Sequence, residues 1–482
     1  MSAPLWAFDE MVKAMKGRAI GAHPAAITGI SIESRTIRPG EAFFAIRGDT
    51  FDGHDFATRA LAAGAATAVV SEGRLSSFGR ISGSLVVVDD VLAALERLGR
   101  ASRAGSMAKI AAVTGSVGKT GTKEMLAQAL MPEGEVHYSP ASFNNHWGVP
   151  LSLARMPSSA QFGIFEIGMN HAGEIEPLTK LVEPHVAIVT TVEPVHLEFF
   201  DSVEDIARAK AEIFLGLSPD GVAVVNRDNP YADLLIGAAR MAGVRRIVGF
   251  GESKDADARL DVVKLKPECS CVSAEILGEK VTYKLGAPGR HLVQNSLAVL
   301  AAVVLMGGDL ASAALALGAM SAPKGRGARL RLAIPGGGKA TLIDESYNAN
   351  PASMRAAIAI LGQAEPGKEG RRIAVLGDMR ELGPASGELH AGLAADLVAA
   401  RVDTVFLAGP LMRALEDALP AVLRGGYAEN AADLEAMVSA GIERGDVIMV
   451  KGSNASRMWG LVDSLKAKFA AEADSDPRQD VA

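Results

Sequence analysis

The chain has 482 residues, of which 49% are hydrophobic and 22% charged, and its formal net charge is −7. This length predicts two to four domains, and this composition is that of an ordinary globular protein that buries several cores. The acidic balance and the lack of a basic run exclude nucleic acid as the expected partner. The N-terminus has no export-signal pattern, and the longest apolar run, residues 297–306, is too short to span a bilayer. We therefore expect a cytoplasmic protein without membrane insertion.

The chain contains two cysteines, Cys269 and Cys271. Two residues apart on a strand they would share a face, where a disulfide would be strained and two thiolates would make a poor metal site. We expect both to be free thiols in a reducing compartment.

Residues 1–105 predict a first α/β unit, with strands near 27–32, 41–46 and 66–70 and a helix near 56–63. Ser34 and Arg35 lie between the first two strands, before the Pro39-Gly40 turn. Arg35 is suited either to a phosphate or to a structural ion pair. The unit shows no catalytic pattern.

The next stretch, residues 109–122, combines a short apolar strand, a glycine turn and the start of a helix. Gly115 and Gly118 bracket the turn, and Lys119 and Thr120 follow. Such a turn lets backbone N–H groups converge on anionic oxygens, and a helix N-terminus adds partial positive charge. Lys119 would reach the outer phosphates of a nucleotide, and the Thr120 hydroxyl would hold Mg²⁺. The usual first glycine of such loops is replaced by Val113, so a plain strand-to-helix turn is the alternative.

Strand and helix signals alternate through residues 106–322, which favours a parallel sheet with helices on both faces. Ligands of such sheets bind at the carboxyl ends of the strands. Glu166 lies near one strand end, His196 follows another, and a polar turn at Asn144 and Asn145 lies between. A carboxylate, an imidazole and the Thr120 hydroxyl at adjacent strand ends could hold two Mg²⁺ ions on a triphosphate, although each alone has a structural alternative.

Lys210 is placed within the apolar stripe of a helix that Ser202 would cap. A lysine there must be paired, neutral or modified, unless it extends to solvent from the edge of the stripe. Further along, the turn at residues 289–295, which includes Asn295, is weak evidence for a contact with a nucleotide base.

Residues 323–470 predict a second doubly wound domain, with strands near 340–343, 373–376, 404–408 and 447–450. The first of these strands ends in Asp344-Glu-Ser-Tyr-Asn-Ala-Asn-Pro351. Residues 471–482 are polar and predict a disordered tail.

Together these stretches resemble the Mur ligases, and within that family the MurF type, which adds D-alanyl-D-alanine to a UDP-N-acetylmuramoyl-tripeptide. The motifs that carry the resemblance are Glu33-Ser-Arg35, Thr114-Gly-Ser-Val-Gly-Lys-Thr120, Asn144-Asn145, Glu166-x-Gly168, His196-Leu-Glu198, the helix around Lys210, Ser346-Tyr-Asn-Ala-Asn-Pro351, Val375-Leu-Gly-Asp-Met379 and Val450-Lys-Gly-Ser453. The resemblance implies three domains: a small N-terminal α/β domain for the UDP-substrate (1–105), a central P-loop ATPase domain with a parallel sheet (106–322) and a C-terminal Rossmann-like ligase domain (323–470).

The resemblance also implies ATP, two Mg²⁺ ions and a role for each site residue. ATP would be bound by Thr114, Gly115, Ser116, Val117, Gly118, Lys119, Thr120, Gly121, Asn295, Arg326, Asp344 and Glu345. The metals would be held by Thr120, Glu166, His196 and a carbamylated Lys210, and catalysis would rest on Lys119, Glu166, His196 and Lys210. The substrates would be bound by Ser34, Arg35, Asn144, Asn145, Tyr347, Asn348 and Asn350. Leu292 and Asn454 depart from the residues most common in the family.

The implied reaction is ATP-dependent ligation of D-alanyl-D-alanine to UDP-N-acetylmuramoyl-tripeptide through an acyl phosphate, catalysed by a monomer during cytoplasmic synthesis of peptidoglycan precursors. Three alternatives stay open on the sequence. They are another Mur or folylpolyglutamate-type amide ligase with a different amine, a P-loop ATPase that acts as a switch, and a non-catalytic binder of UDP-sugar peptides.

Overall fold

A computed structural model describes residues 4–48, 50–78, 83–139, 142–322, 324–335 and 337–470. Three large sheets follow one another along this part of the chain, with five, nine and six strands, and helices cover each of them. The α/β class and the three-domain architecture expected from the sequence are confirmed. Residue 323, at which the predicted C-terminal domain begins, and the tail at 471–482 lie outside the described residues, and the domain boundaries stay predictions.

The N-terminal sheet has its strands in the spatial order Arg18–Ile20, Leu85–Val88, Thr67–Ser71, Glu41–Phe44 and Gly29–Ser31. All neighbours are parallel except the first pair. The other elements of this domain are the ribbon of Trp6–Ala7 with Ala26–Ile27, the helices Phe8–Met15, Ala57–Ala62 and Val91–Gly105, and the 3-10 helices Gly53–Phe56 and Glu72–Phe78.

The central sheet runs in the order Glu279–Leu285, Ser270–Ile276, Ala258–Leu265, Arg246–Gly251, Val222–Asn226, Val186–Val189, Lys109–Thr114, Phe162–Glu166 and Val136–Tyr138. It is parallel apart from the two pairings among the first three strands named, which are antiparallel. Its helices are Lys119–Leu130, Gly148–Ala154, Ile175–Val182, Val203–Ala211, Ala232–Met241, Arg290–Leu305 and Leu310–Gly318, with a 3-10 helix at Glu212–Gly216. The long apolar helix Arg290–Leu305 is buried in the core, as predicted.

The C-terminal sheet has the order Ala328–Ala333, Lys339–Glu345, Val447–Lys451, Arg372–Gly377, Thr404–Ala408 and Arg424–Ala428, with an antiparallel first pair and parallel neighbours thereafter. Its helices are Pro351–Gln363, Ser386–Ala391, Leu393–Ala399, Arg413–Ala418, Ala431–Gly441 and Met458–Lys468, and its 3-10 helices are Gly383–Ala385, Pro410–Met412, Ala421–Leu423 and Asn454–Ser456.

The first two domains share a packed and hydrogen-bonded boundary. The Trp6 indole N–H donates to the Ala154 carbonyl at 2.9 Å, and Arg155 Nε donates to the Ile30 carbonyl at 2.7 Å. Leu151 and Ala154 of the central domain belong to the N-terminal core. In the described ranges, no helix combines the length and the apolar character that a membrane crossing requires. Cys269 and Cys271 are both free, as predicted.

Candidate active site

The glycine turn of the central domain has the backbone geometry of an anion cradle. Gly115 has φ of 150° and Gly118 of 85°, conformations that side chains other than hydrogen rarely allow. A Cβ atom on Gly115 would lie 1.9 Å from Thr190 Oγ1, so the turn also requires glycine for space. The helix Lys119–Leu130 begins directly after Gly118. Its free N–H groups therefore point into the turn.

Lys119 lies at the mouth of this turn. Its amine donates to the Gly115 carbonyl at 2.6 Å. Burial lowers the pKa of Lys119, the negative charge of Glu166 opposes that effect, and the positive charge of Arg326 adds to it. A phosphate beside these two cations would be drawn to the turn by both.

Thr120 and Glu166 bring two oxygen atoms together on the same side. Thr120 Oγ1 donates to Glu166 Oε2 at 2.8 Å, and Asn144 Nδ2 donates to Glu166 Oε1 at 2.8 Å. Glu166 is only 3% exposed, so its charge is held by these partners rather than by water. Mg²⁺ prefers one or two such oxygens together with phosphate oxygens and water, so this pair fits a nucleotide-bound magnesium ion.

A cleft of about 480 Å³ separates the central and C-terminal domains and opens onto the phosphate turn. The predicted residues that line it are Ser116, Val117, Gly118, Lys119, Thr120, Gly121, Asn144, Glu166, Asn295, Arg326, Glu345, Tyr347, Asn348 and Asn350. The central domain provides the first nine, and the C-terminal side provides the last four together with Arg326. Thr114, Gly115, Ser34, Arg35, Asn145, Asp344, His196 and Lys210 are not in its lining.

Asn295 and Arg326 both lie close to the phosphate turn. A Cβ atom on Gly118 would lie 2.6 Å from Asn295 Nδ2, so this amide touches the turn. The Arg326 guanidinium lies 4.0 Å from the centre of the Tyr347 ring, and its Nη2 donates to Ser142 Oγ at 3.3 Å. The tyrosine therefore orients the arginine over the cleft.

Of the neighbouring carboxylates Asp344 and Glu345, only Glu345 faces the cleft. Asp344 is 1% exposed, and its oxygens accept from the Ser346 hydroxyl at 2.6 Å and from the Gly325 N–H at 3.0 Å. Glu345 Oε2 lies 3.4 Å from the Lys451 amine. Side chains alternate along the strand Lys339–Glu345, and this alternation separates the two roles.

The side-chain oxygens of Asn348 and Asn350, in the turn after this strand, accept hydrogen bonds from the backbone. Asn350 caps the helix Pro351–Gln363, since its Oδ1 accepts from the Ser353 N–H at 2.9 Å. Asn348 Oδ1 accepts from the Ala349 N–H at 2.9 Å. Because each Oδ1 atom is engaged in this way, the NH₂ group is the part of each side chain that could donate to a ligand in the cleft.

Lys210 is 2% exposed on the helix Val203–Ala211, so of the two alternatives left open by the sequence the structure shows the buried one. No hydrogen bond joins its amine to another residue in the described part of the chain. Burial lowers the pKa of Lys210 well below its ordinary value, and the nearby charge of Lys119 lowers it further. The site thus holds a lysine under conditions that disfavour an ammonium.

His196 lies at the boundary with the C-terminal domain. Its Nδ1 is 2.5 Å from Glu381 Oε2, and the hydrogen bond from this imidazole lowers the pKa of Glu381. Within the described ranges, no three His, Cys, Asp or Glu side chains cluster closely enough to hold a metal by themselves.

The predicted UDP-substrate residues lie apart from the cleft. Arg35 is exposed and forms an ion pair with Glu33 at 2.9 Å, which is the structural alternative weighed for it. Asn145 Oδ1 accepts from the N–H of Gly148, the first residue of the helix Gly148–Ala154, at 3.0 Å.

Several cleft residues were given no individual role from the sequence, although some lie in stretches that it indicated. They are Ser142, Glu193, Asn226, His291, Gln294 and Lys451. Asn226 and Lys451 end their strands, so the rule that ligands bind at carboxyl ends could have found them. His291 lies in the turn at residues 289–295 that the sequence indicated as a base contact; burial lowers its pKa to about 4.

Three family models cover most of the chain in order. The Mur ligase family catalytic domain matches residues 26–136, the Mur ligase middle domain 113–303, and the Mur ligase glutamate ligase domain 329–454. A UDP-N-acetylmuramoyl-tripeptide--D-alanyl-D-alanine ligase of Rickettsia prowazekii is 31% identical over 435 residues, which is 90% of this chain and 94% of that protein.

The chain belongs to the Mur ligase family.

Solved structures agree with this assignment. The crystal structure of MurF from Acinetobacter baumannii is 29% identical to this Mur ligase, with a TM-score of 0.82 over 96% of this chain and all of that one. The MurF ligase of Thermotoga maritima, solved in complex with ADP, is 25% identical with a TM-score of 0.74 over 92% of this chain and 97% of that one.

Proposed function

We propose that this Mur ligase uses ATP to join D-alanyl-D-alanine to a UDP-N-acetylmuramoyl-tripeptide. The proposal is carried by one observation: the same cleft is lined by the phosphate turn and by Asn348 and Asn350 of the C-terminal domain. The names of the relatives supply the substrate pair, and the cleft supplies a place where a phosphoryl donor and an amine can meet.

ATP would lie with its phosphates in the turn between Gly115 and Gly121. Lys119 and Arg326 would neutralise phosphate charge, Asn295 would contact the adenine, and Glu345 would reach the ribose in place of the buried Asp344. Thr120 and Glu166 would hold a first Mg²⁺, and His196 and a carbamylated Lys210 a second. When bound, these ions supply further charge neutralisation on the triphosphate.

The reaction divides into two transfers. The terminal carboxylate of the tripeptide attacks the γ-phosphorus, the bond from that phosphorus to the bridging oxygen breaks, and ADP leaves. The amine of the dipeptide, after losing a proton, attacks the resulting acyl phosphate; the C–N bond forms, the C–O bond breaks, and phosphate leaves. The protein's part is to position the reactants and to stabilise phosphate charge, chiefly through Lys119 and Arg326.

The N-terminal domain, for which we propose residues 1–105, would hold the UDP part of the substrate near Ser34 and Arg35. The helix Val91–Gly105 ends at this limit. The central and C-terminal domains would meet near residues 322 and 323, between the helix Leu310–Gly318 and the strand Ala328–Ala333. Asn144 and Asn145 would guide the tripeptide towards the cleft.

The dipeptide is favoured over a single amino acid by the NH₂ groups of Asn348 and Asn350. The internal amide of D-alanyl-D-alanine offers a carbonyl to such donors. Asn348 is exposed and Asn350 half-buried, so a single D-alanine, which lacks this carbonyl, would lose a hydrogen bond worth about 0.5–1.5 kcal/mol to each of them. We therefore expect at least a roughly tenfold preference for the dipeptide.

The test is a competition between equal concentrations of D-alanyl-D-alanine and D-alanine, with products resolved by mass and Lys119→Ala as the inactive control. A product carrying two added alanines as the main species supports the proposal. A single added residue would assign the chain another amine. ATP hydrolysis that needs neither acceptor nor amine would indicate a P-loop switch.

A further inference from the structure

The segment after the strand Val186–Val189 links the phosphate turn to the C-terminal domain. At its start, the Ser116 N–H donates to the Thr191 carbonyl at 2.9 Å. Ser116 Oγ donates to the Glu193 carbonyl at 3.0 Å and accepts from the Glu193 N–H at 2.9 Å. The phosphate turn and residues 191–193 are therefore fixed to each other.

At its other end, the same segment is held by the C-terminal domain. His196 Nδ1 lies 2.5 Å from Glu381 Oε2, and the Glu198 N–H donates to the Glu381 carbonyl at 3.4 Å. A Cβ atom on Gly383 would lie 3.6 Å from the Glu198 Cα, so the backbones also pack there.

Both partners of the imidazole–carboxylate bond have left-handed backbones. His196 has φ of 56° and Glu381 of 62°. Residues other than glycine adopt this conformation at an energetic cost, and such residues concentrate where function fixes a side chain. Here the two unusual conformations face each other across a domain boundary.

The bond also decides which nitrogen of the ring is available. An ionised carboxylate can only accept, so Nδ1 donates the proton, and in the neutral imidazole Nε2 then keeps its lone pair. Histidines that bind metals commonly donate their other ring N–H to a carboxylate, which fixes the tautomer and the orientation of the ring.

We propose that Glu381 is a positioning residue that orients His196 towards the second divalent cation, so that this cation site is complete only when the C-terminal domain is docked. The inference rests on the proposed function, which assigns His196 to the metal. It makes domain docking and cation binding at the phosphate turn a single coupled event.

A purely structural role predicts a different outcome. If Glu381 only joined the two domains, its removal would weaken their contact and leave the affinity for the cation unchanged once nucleotide is bound. If it acts through His196, removing both side chains should cost no more cation affinity than removing the imidazole alone.

The experiment measures Mn²⁺ binding by electron paramagnetic resonance in the presence of saturating ADP, for full-length protein. Glu381→Ala should weaken the weaker Mn²⁺ site about tenfold or more, and Glu381→Gln, which can still accept the bond, should lose less. Glu369→Ala is the matched control, because Glu369 is an exposed glutamate of the same domain with φ of 63°. It should bind as the wild type.

The double variant His196→Ala with Glu381→Ala should bind Mn²⁺ like His196→Ala alone. Wild-type affinity in Glu381→Ala, or additive losses in the double variant, would overturn the proposal. These outcomes are separate from a failure of the proposed function, which would show as a wrong product from the unaltered enzyme.

Discussion

Lys210→Met should stabilise the protein while abolishing ligation. Lys210 is 2% exposed on the helix Val203–Ala211 and packs among the core residues Ile206 and Ile213. Burial lowers its pKa well below the ordinary 10.5, and the charge of Lys119 lowers it further. Methionine fills similar space with a flexible apolar chain and carries no charge.

The expected gain in stability follows from the free-energy cost of the two protonation states that an unmodified, buried lysine can adopt. Giving up the proton at pH 7 costs up to about 5 kcal/mol, since each pH unit below an ordinary lysine pKa is worth about 1.36 kcal/mol. Keeping an unpaired charge in the core costs several kcal/mol as well. Allowing for relaxation and water penetration, we expect Lys210→Met to gain about 2 kcal/mol.

Thermal unfolding without nucleotide measures this gain. For a domain of this size, about 2 kcal/mol raises the melting temperature by roughly 4–8 °C. The matched control is Lys180→Met, because Lys180 is half exposed on another helix of the same domain and pairs with Glu176 at 2.6 Å. It should change stability by no more than about 0.5 kcal/mol.

Melting in the presence of bicarbonate is a second test of the same reasoning. A carbamate replaces the disfavoured ammonium by an anion next to Lys119, so bicarbonate should raise the melting temperature of the wild type and leave that of Lys210→Met unchanged. If Lys210→Met melts at or below the wild-type temperature while Lys180→Met is unaffected, the lysine carries no burial penalty and the reasoning fails.

Three further predictions concern the phosphate turn and the core. Lys119→Ala should lower kcat/KM at least about 100-fold with an unchanged melting temperature, because among the described residues its amine donates to the Gly115 carbonyl of the turn and to no core residue. Unaltered turnover would contradict the phosphate role. Gly115→Ala should lower the free energy of unfolding by more than about 2 kcal/mol, since the new Cβ would lie 1.9 Å from Thr190 Oγ1. The control is Gly237→Ala, in a helix with open space around the position, which should raise the free energy of unfolding by about 0.5–1 kcal/mol. Denaturant titrations of both variants compare them directly. Burial lowers the pKa of His137 from 6.5 to about 4, so the unfolded chain binds a proton at a higher pH than the folded protein does. The free energy of unfolding should therefore fall by about 3 kcal/mol between pH 6.5 and 4. His137→Gln should flatten that dependence.

Local patterns were enough to predict the central features of the fold. The alternation of apolar strands and helices predicted the parallel sheets, and the apolar stripe around Ile206 indicated the burial of Lys210 as one of two alternatives. The antiparallel pairing of the strands Ala258–Leu265, Ser270–Ile276 and Glu279–Leu285 at the edge of the central sheet was not predicted. Such pairing depends on contacts between segments, whereas the residue pattern of one segment does not determine its partner.

The sequence by itself determined the phosphate turn, since Gly115 and Gly118 have no substitute at their backbone angles and the helix must begin where the second glycine ends. Only the tertiary structure decided which of two adjacent carboxylates faces the cleft. It placed Glu345 in the lining and bonded Asp344 to the Ser346 hydroxyl, because alternate residues of a strand point to opposite faces. The contact of His196 with Glu381 was likewise beyond any local pattern, since 185 residues separate the two side chains and only the docking of one domain on another brings them together.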